Sequence, residues 1–174
     1  DFVTGSGSSK PNGVAGAATV GVTGTAGKAG AFTADNLLDL YFSVIAPYRR
    51  NAYWMMSDAA IAAARKLRDD SGASAGTGQY LWAPGLVAGE PSTLLGRPVV
   101  VDPNVADPAA TAVSVLFGDF SAYYIRDVAG VRFERSDDFA FDSDVVSFRA
   151  ILRTDGDLVD TTGAIKAFKG GAAS

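Results

Sequence analysis

The residues best suited to chemistry in this 174-residue sequence are four aspartates, Asp137, Asp138, Asp142 and Asp144. Paired carboxylates can act as general acid and base in hydrolysis, or they can bind a hard cation. On a strand, Asp142 and Asp144 would share one face. Neither the glycine-containing loop of a calcium site nor its bidentate glutamate accompanies them. We therefore expect a solvated hairpin edge whose charges discourage unwanted strand pairing, and a carboxylate-dependent hydrolase is the alternative.

Two further motifs have ordinary structural explanations. The run from Gly5 to Lys10 is similar to a phosphate-binding loop, but Lys10 stands where such a loop needs its second glycine. A loop of small residues is expected there. Asp155-Gly156-Asp157 lies between two apolar-patterned stretches, which predicts a hairpin turn.

Composition excludes several classes of protein. The sequence has no His and no Cys, which removes Ser-His-Asp and Cys-His catalysis and the usual zinc sites. A net charge of -4 argues against a surface that neutralises many nucleic-acid phosphates. No run approaches the roughly 18 apolar residues of a membrane-spanning helix, so we expect a soluble chain without a membrane partner. The N-terminus does not have the pattern of a signal peptide. Because the sequence starts at Asp1 and not at Met, we expect it to be cut or trimmed from something longer.

Two helices are predicted from caps and periodicity. Thr33 is a good N-cap for an amphipathic helix running through Ile45, which Pro47 should end. Ser57 caps a second helix that is predicted to run to about Asp70.

Strand signals dominate the rest of the chain. Val99-Val100-Val101 is a continuous β-branched run, which favours a strand covered on both faces. The other predicted strands are short and separated by turn signals: 51–56, 80–82, 111–118, 120–128, 130–135, 144–153 and 164–168. Strands between Gly13 and Gly30 are also expected. The order of elements is that of an α+β protein and not of βαβ alternation.

Several segments resemble a known family when they are taken in order. They are Tyr53-Trp54-Met55-Met56-Ser57, Leu94-Leu95-Gly96-Arg97-Pro98-Val99, Phe117-Gly118-Asp119-Phe120-Ser121, Tyr123-Tyr124-Ile125-Arg126-Asp127, Val131-Arg132-Phe133-Glu134-Arg135-Ser136 and Val146-Ser147-Phe148-Arg149. Their order and spacing resemble the C-terminal part of phage major capsid proteins of the Hong Kong 97 fold. The resemblance covers most of the chain.

The resemblance implies a two-lobed fold. Residues 14–125 and 164–174 would form the axial lobe, a mixed sheet with flanking helices. Residues 1–13 and 126–163 would form part of the peripheral lobe, with long strands. The N-terminal arm, the extended loop and the spine helix of the family have no counterpart in this sequence, which puts self-assembly of the chain alone in doubt.

The resemblance also implies a function. The protein would be a structural subunit, and not an enzyme, of an icosahedral shell that encloses DNA without reading its sequence. Identical subunits in pentamers and hexamers would be its main partners, with a scaffold protein or a maturation protease as further ones. It would be made in the bacterial cytoplasm and located in the virion, and it would need no cofactor or metal. The alternatives are the carboxylate-dependent hydrolase and another virion component such as a tail protein.

Five residues are candidates for contacts between subunits in such a shell. Arginine side chains on neighbouring strands can form bidentate pairs with carboxylates of an adjacent subunit, and pairing within the chain is the alternative. A tyrosine can anchor either an interface or a core. The candidates are Arg132, Arg135, Arg149, Arg153 and Tyr123.

Covalent crosslinking is not expected. Some members of the family join subunits by a Lys-Asn isopeptide bond that a Glu promotes. Asp144 and Ile151 occupy the positions at which the Asn and the Glu would stand.

Overall fold

The computed structural model describes residues 1–69, 79–82, 93–143 and 145–173. Its helices are α1 (Val14–Ala17), α2 (Ala34–Ser43), α3 (Ala46–Arg49) and α4 (Asp58–Arg65). Its strands are β1 (Thr19–Thr23), β2 (Tyr53–Met56), β3 (Arg68–Asp69), β4 (Gln79–Tyr80), β5 (Thr93–Leu94), β6 (Arg97–Val101), β7 (Val113–Gly118), β8 (Tyr123–Ala140), β9 (Val145–Leu158) and β10 (Ile165–Lys169). Short 3-10 turns cover Phe120–Ala122 and Phe141–Ser143.

A six-stranded mixed sheet forms the centre of the fold, with the order β1-β10-β7-β2-β6-β5. The pairs β1–β10 and β2–β6 are parallel, and the other pairs are antiparallel. β10, predicted as the last strand, lies between β1 and β7. The two ends of the chain are therefore joined inside one sheet.

Apolar side chains cover both faces of this sheet. On β7, Val115 and Phe117 belong to one core cluster and Leu116 belongs to the other, as the alternation of a strand requires. The first cluster takes in Trp54 and the buried sides of α2 and α4. The second contains Ile165 and other residues of β10, together with residues of α1 and the end of β9. The centre of the sheet is therefore covered on both faces, whereas the outer strands β1, β6 and β5 stay largely exposed.

The predicted cap of α2 is confirmed. The Thr33 hydroxyl accepts a hydrogen bond from the backbone N–H of Asn36 at 3.2 Å, and the Asn36 side chain accepts one from the Thr33 N–H at 3.0 Å. This reciprocal pair satisfies two donors that a helix start leaves unpaired. Leu37 and Leu40 point into the core. The helix ends at Ser43, and Pro47 lies in α3.

The helix capped by Ser57 is shorter than predicted. The Ser57 hydroxyl accepts from the Ala60 N–H at 3.3 Å, as expected, but α4 ends at Arg65 and not near Asp70. The chain leaves the helix because Arg68 and Asp69 pair with Tyr80 and Gln79 in the β3–β4 ribbon. Asp70 and the predicted loop at 72–78 lie outside the described residues.

Three strand predictions were wrong in detail. Val99–Val101 is part of a strand, but Val100 and Val101 remain 42% and 48% exposed, so β6 is not covered on both faces. The predicted strand at 80–82 is confined to Gln79–Tyr80 within the described residues. Between 13 and 30 only β1 is a strand, and Val14–Ala17 is helical.

The C-terminal strand predictions need a larger correction. The segments predicted as separate strands at 120–128 and 130–135 belong to one strand, β8, of 18 residues. The predicted turn at Asp155-Gly156-Asp157 is wrong, since all three residues lie in β9 opposite Arg126, Ile125 and Tyr124. Among the described residues, no helix is long and apolar enough to cross a membrane.

Asp160 fixes the return of the chain from β9 to the sheet. Its Oδ2 accepts a hydrogen bond from the Tyr48 hydroxyl at 2.6 Å, and its Oδ1 accepts from the N–H and the hydroxyl of Thr162 at 2.8 and 2.6 Å. These bonds, led by that of the Thr162 hydroxyl, lower the pKa of Asp160 from 3.8 to about 2. The carboxylate joins α3 to the segment that precedes β10.

This contact should make stability depend on pH in acid. A folded-state pKa below the unfolded value means that the contribution of Asp160 is complete above pH 3.8 and is lost as the pH falls towards 2. Asp160→Asn should therefore lower the free energy of unfolding at neutral pH and differ less from the unmodified protein at pH 2.5 to 3. Urea denaturation over a pH series measures this, with Tyr48→Phe as a second variant that removes one donor. A difference that does not change with pH would contradict the assignment.

Candidate assembly surface

β8 and β9 form a long two-stranded antiparallel ribbon, which we call the hairpin. Pairing runs from Tyr123 opposite Leu158 at its base to Ala140 opposite Val145 near its tip. Two irregularities interrupt the register, between Val128 and Arg132 and between Ser136 and Ala140. Such bulges bend a ribbon and increase its twist. Within the described residues, the only strand paired with β8 is β9.

The N-terminal segment holds the base of the hairpin. The Tyr123 hydroxyl donates to the Asn12 carbonyl at 2.8 Å, and the Asn12 N–H donates to the Gly156 carbonyl at 2.9 Å. The Phe2 ring meets the Tyr123 ring edge-on, with 6.5 Å between centroids. Burial, followed by the charge of Asp157, raises the pKa of Tyr123. Tyr123 therefore acts within this chain as an anchor of the hairpin base.

Gly156 is required by this packing and not by a turn. A Cβ on Gly156 would lie 2.5 Å from the Tyr123 hydroxyl oxygen and 2.9 Å from the Phe2 ring. Glycine in a strand often marks such a close approach. The Asp-Gly-Asp pattern gave a turn signal because sequence alone does not show which aromatic rings will pack there.

One face of the hairpin carries exposed aromatic rings. Residues opposite each other in the ladder share a face, so Phe133 lies with Ala150, and Phe148 lies with Arg135. Both of these pairs belong to the same face because 133 and 135 are two residues apart. Phe133 and Phe148 are 78% and 77% exposed, and Phe139, nearer the tip, is 83% exposed. We call Phe133, Phe139 and Phe148 the aromatic face.

The opposite face carries a charge cluster. Arg149 donates through Nε and Nη2 to Oε2 of Glu134, at 3.0 and 2.5 Å, and Arg132 forms an ion pair with Oε1. The hydrogen bonds from Arg149, followed by the charge of Arg132, lower the pKa of Glu134. Exposed pairs contribute little to stability, so the cluster mainly fixes where the two guanidinium groups point.

The two other predicted arginines have different surroundings. Arg135 donates through Nε to Oδ1 of Asp137 at 2.9 Å, next to the aromatic face. Arg153 stands opposite Val128 on the same face as the charge cluster, and no carboxylate of the described residues forms an ion pair with it. The structure thus places all four arginines on the hairpin, with three paired inside the chain. Their use between subunits stays a prediction.

The predicted acidic cluster is not assembled into a site. Asp137 is paired with Arg135, Asp138 lies on β8, and Asp142 lies in the turn, where it accepts from the Ser143 hydroxyl at 3.3 Å. Asp144 lies outside the described residues. Nowhere in the part of the chain that the structure describes do three His, Cys, Asp or Glu residues come close enough to hold a metal. The geometry gives no support to a hydrolase.

The aromatic face was missed by sequence reasoning. Its signal was present, since Val131-Arg132-Phe133-Glu134-Arg135 alternates apolar and charged residues. Such alternation predicts a strand with one buried face. The alternating pattern does not show whether that face is buried by the same chain or by another molecule. Here the described residues do not bury it.

The comparisons with known proteins decide the family. The model of the Phage capsid family matches residues 1–170. The chain belongs to the phage capsid family. The curated proteins contain no match to it.

Solved structures agree with this assignment. The capsid of an empty GTA particle, computed with C5 symmetry, is 34% identical with a TM-score of 0.73, and the match covers 98% of this chain and 60% of that one. The capsid of a native GTA particle is 32% identical with a TM-score of 0.75, and the match covers 98% and 59%. A structure from Gordonia phage Cozz, with 17% identity, a TM-score of 0.57 and coverage of 95% and 53%, shows likeness of fold alone. These matches confirm the predicted α+β fold of the Hong Kong 97 type. The chain spans about 60% of the length of the GTA capsid chains.

The anchoring of the hairpin base can be tested at Gly156. Gly156→Ala should lower the free energy of unfolding by about 1–3 kcal/mol, because the methyl group overpacks the contact between Phe2 and Tyr123. Chemical denaturation measures the change. Gly16→Ala in α1 is the matched control, since its nearest neighbour would be 3.8 Å from the new Cβ, and it should not destabilise the protein. Equal stability of both variants would show that the base is not packed in this way.

Proposed function

We propose that this chain is a structural subunit of an icosahedral phage-type shell, performs no turnover chemistry, and packs the aromatic face of its hairpin against a neighbouring copy. The observation that carries the proposal is the exposure of Phe133, Phe139 and Phe148 on a ribbon with no strand partner among the described residues. Membership of the phage capsid family supplies the context. The GTA capsids that resemble the chain are computed with C5 symmetry, which fits assembly from repeated copies.

Energetics favour a covered hairpin. An isolated two-stranded ribbon is marginally stable in water. Burying one phenylalanine side chain contributes about 1.5–3 kcal/mol, so covering Phe133 and Phe148 would stabilise both the ribbon and the contact. In a closed shell the same contact repeats at every position, and moderate contacts then add to a stable assembly.

The charged groups of the hairpin suit a role in orientation. Glu134 holds Arg132 and Arg149 in fixed directions, and Arg153 has no such partner among the described residues. Charges at the rim of an interface set registration and suppress wrong pairings more than they add affinity. Arg135, which lies on the aromatic face, would align the neighbouring copy there, and Arg132, Arg149 and Arg153 would orient contacts on the opposite face. Tyr123 would contribute by holding the base of the hairpin.

We assign the sheet and the hairpin to different lobes. Residues 14–125 and 164–174 would form the axial lobe, and residues 1–13 and 126–163 would belong to the peripheral lobe. The contacts of Asn12 with Tyr123 and Gly156 support grouping the N-terminal segment with the hairpin. The return of the chain as β10 supports grouping the C-terminal residues with the sheet.

The other proposed partners are those that a DNA-containing shell requires. Identical copies would form pentamers and hexamers around enclosed DNA. A net charge of -4 fits a protein that encloses DNA without binding many phosphates tightly. Synthesis in the bacterial cytoplasm and dependence on a scaffold protein or a protease complete the proposal.

The proposal predicts that replacing the exposed rings will prevent shell assembly without lowering the stability of the subunit. The double variant Phe133→Ser, Phe148→Ser should change the free energy of unfolding of the unassembled subunit by less than about 0.5 kcal/mol, since both rings are exposed in it. The same variant of the full-length capsid protein should fail to form sedimenting shells. Sucrose-gradient sedimentation and negative-stain electron microscopy measure the second effect.

A matched control lies on the other face of the same hairpin. Ser136 and Ser147 stand opposite each other in the ladder, and the double change Ser136→Ala, Ser147→Ala should leave shell formation intact. Normal shells from the double Phe variant would overturn the proposed role of the aromatic face.

A further inference from the structure

The outward side of α2 combines acidic and apolar residues. Asp35, Leu38, Asp39 and Phe42 follow the i, i+3, i+4, i+7 spacing of one helical stripe, opposite the buried Leu37 and Leu40. Asp35 and Asp39 are exposed, and Leu38 and Phe42 are 40% and 65% exposed. We call these four residues the acidic stripe. The Phe42 ring meets the Tyr41 ring edge-on at 5.2 Å and has the Arg49 guanidinium 5.4 Å from its centroid, but it stays largely exposed, as do Asp35, Leu38 and Asp39.

The end of α4 carries basic residues, and exposed apolar side chains lie beside them. Lys66 is exposed just after the helix, and Tyr80 and Leu81 are each 53% exposed on the β3–β4 ribbon. The Arg68 guanidinium lies 4.2 Å from the centroid of the Tyr80 ring and donates to the Tyr80 hydroxyl at 2.6 Å.

A second cation at this end is also held by a ring. The Arg65 guanidinium lies 5.2 Å from the centroid of Trp82. We call Arg65, Lys66, Arg68, Tyr80 and Leu81 the basic patch. Cations that are already held in place lose little conformational entropy on binding.

The two surfaces are associated with different strands of the sheet. α2 contacts β1 and β10, which are the first two strands in the sheet order. α4 begins directly after β2, the fourth strand, and leads into the β3–β4 ribbon. Strands are about 4.8 Å apart, so β1 and β2 are separated by about 14 Å. One copy can therefore present both surfaces at once to two different neighbours.

We infer that the acidic stripe of one copy packs against the basic patch of the next copy around a ring axis. A rotational ring with more than two subunits needs a heterologous contact, in which two different surfaces of the same chain meet. The opposite charges, each beside exposed apolar side chains, supply the complementarity for that contact. The inference rests on the proposed function, since it concerns the contact within a capsomer and the hairpin concerns a separate surface.

Charge exchange in the full-length capsid protein tests the contact. Asp39→Lys and Lys66→Glu should each lower the yield of sedimenting shells at least about tenfold, because like charges then face each other across the interface. The combined variant Asp39→Lys, Lys66→Glu should restore shells. Asp107→Lys changes the net charge equally at an exposed site outside both surfaces and should assemble normally. Normal assembly of both single variants, or no recovery in the combined variant, would overturn the inference.

Chemical crosslinking gives a second readout that does not depend on yield. The sequence contains no cysteine, so Phe42→Cys combined with Leu81→Cys places one thiol on each surface. Treatment of shells with a short bismaleimide should give a ladder that extends beyond dimers, whereas each single variant should give none. A dimer from either single variant, or no ladder from the double variant, contradicts a heterologous contact.

The outcomes separate the two proposals. Loss of shells in the aromatic-face variant, with normal assembly in the charge variants, leaves the shell function standing and removes the inference. Absence of shells from the unmodified full-length protein, expressed together with its neighbouring reading frames, removes both.

Discussion

The insertion of β10 between β1 and β7 is the constraint on which the rest of the structure depends. β7 ends at Gly118 and β10 begins at Ile165, and these two residues face each other in the ladder. Everything between them must leave the sheet and come back to the same place. The hairpin satisfies this condition because its two strands run out and back side by side. Asp160 then fixes the return by joining Tyr48 to Thr162. The chain therefore completes the sheet with β10 only after it has formed both strands of the hairpin.

This arrangement divides the apolar residues into two groups with different uses. Trp54, Phe117 and Phe168 are fully buried and stabilise the subunit itself. Phe133 and Phe148 project from a ribbon that no described part of the chain covers. Exposed rings of this size are costly in a free monomer and are typical of surfaces that another molecule will cover. The proposed function assigns that cover to a further copy of the chain.

Sequence reasoning succeeded where a local rule decides the structure. Thr33 and Ser57 cap helices because their hydroxyls can reach N–H groups three residues ahead, which needs no knowledge of the fold. It failed where contacts between residues far apart in the sequence decide the structure. Gly156 pairs with Ile125 in a strand, where Phe2 and Tyr123 occupy the space that a Cβ would need, and Val100 and Val101 stay exposed although their β-branched run predicts a strand covered on both faces. The arginines of the hairpin were found from the sequence, whereas the aromatic face was not, because exposure in the monomer cannot be read from an alternating pattern.

Electron cryo-microscopy of the shell formed by the full-length capsid protein would show what covers the hairpin. We expect Phe133 and Phe148 to lie within about 4.5 Å of side chains from a neighbouring copy, which is the distance of apolar contact. Shells in which both rings face solvent, or contact only side chains of their own full-length chain, would contradict it, because no neighbouring copy would then cover the hairpin.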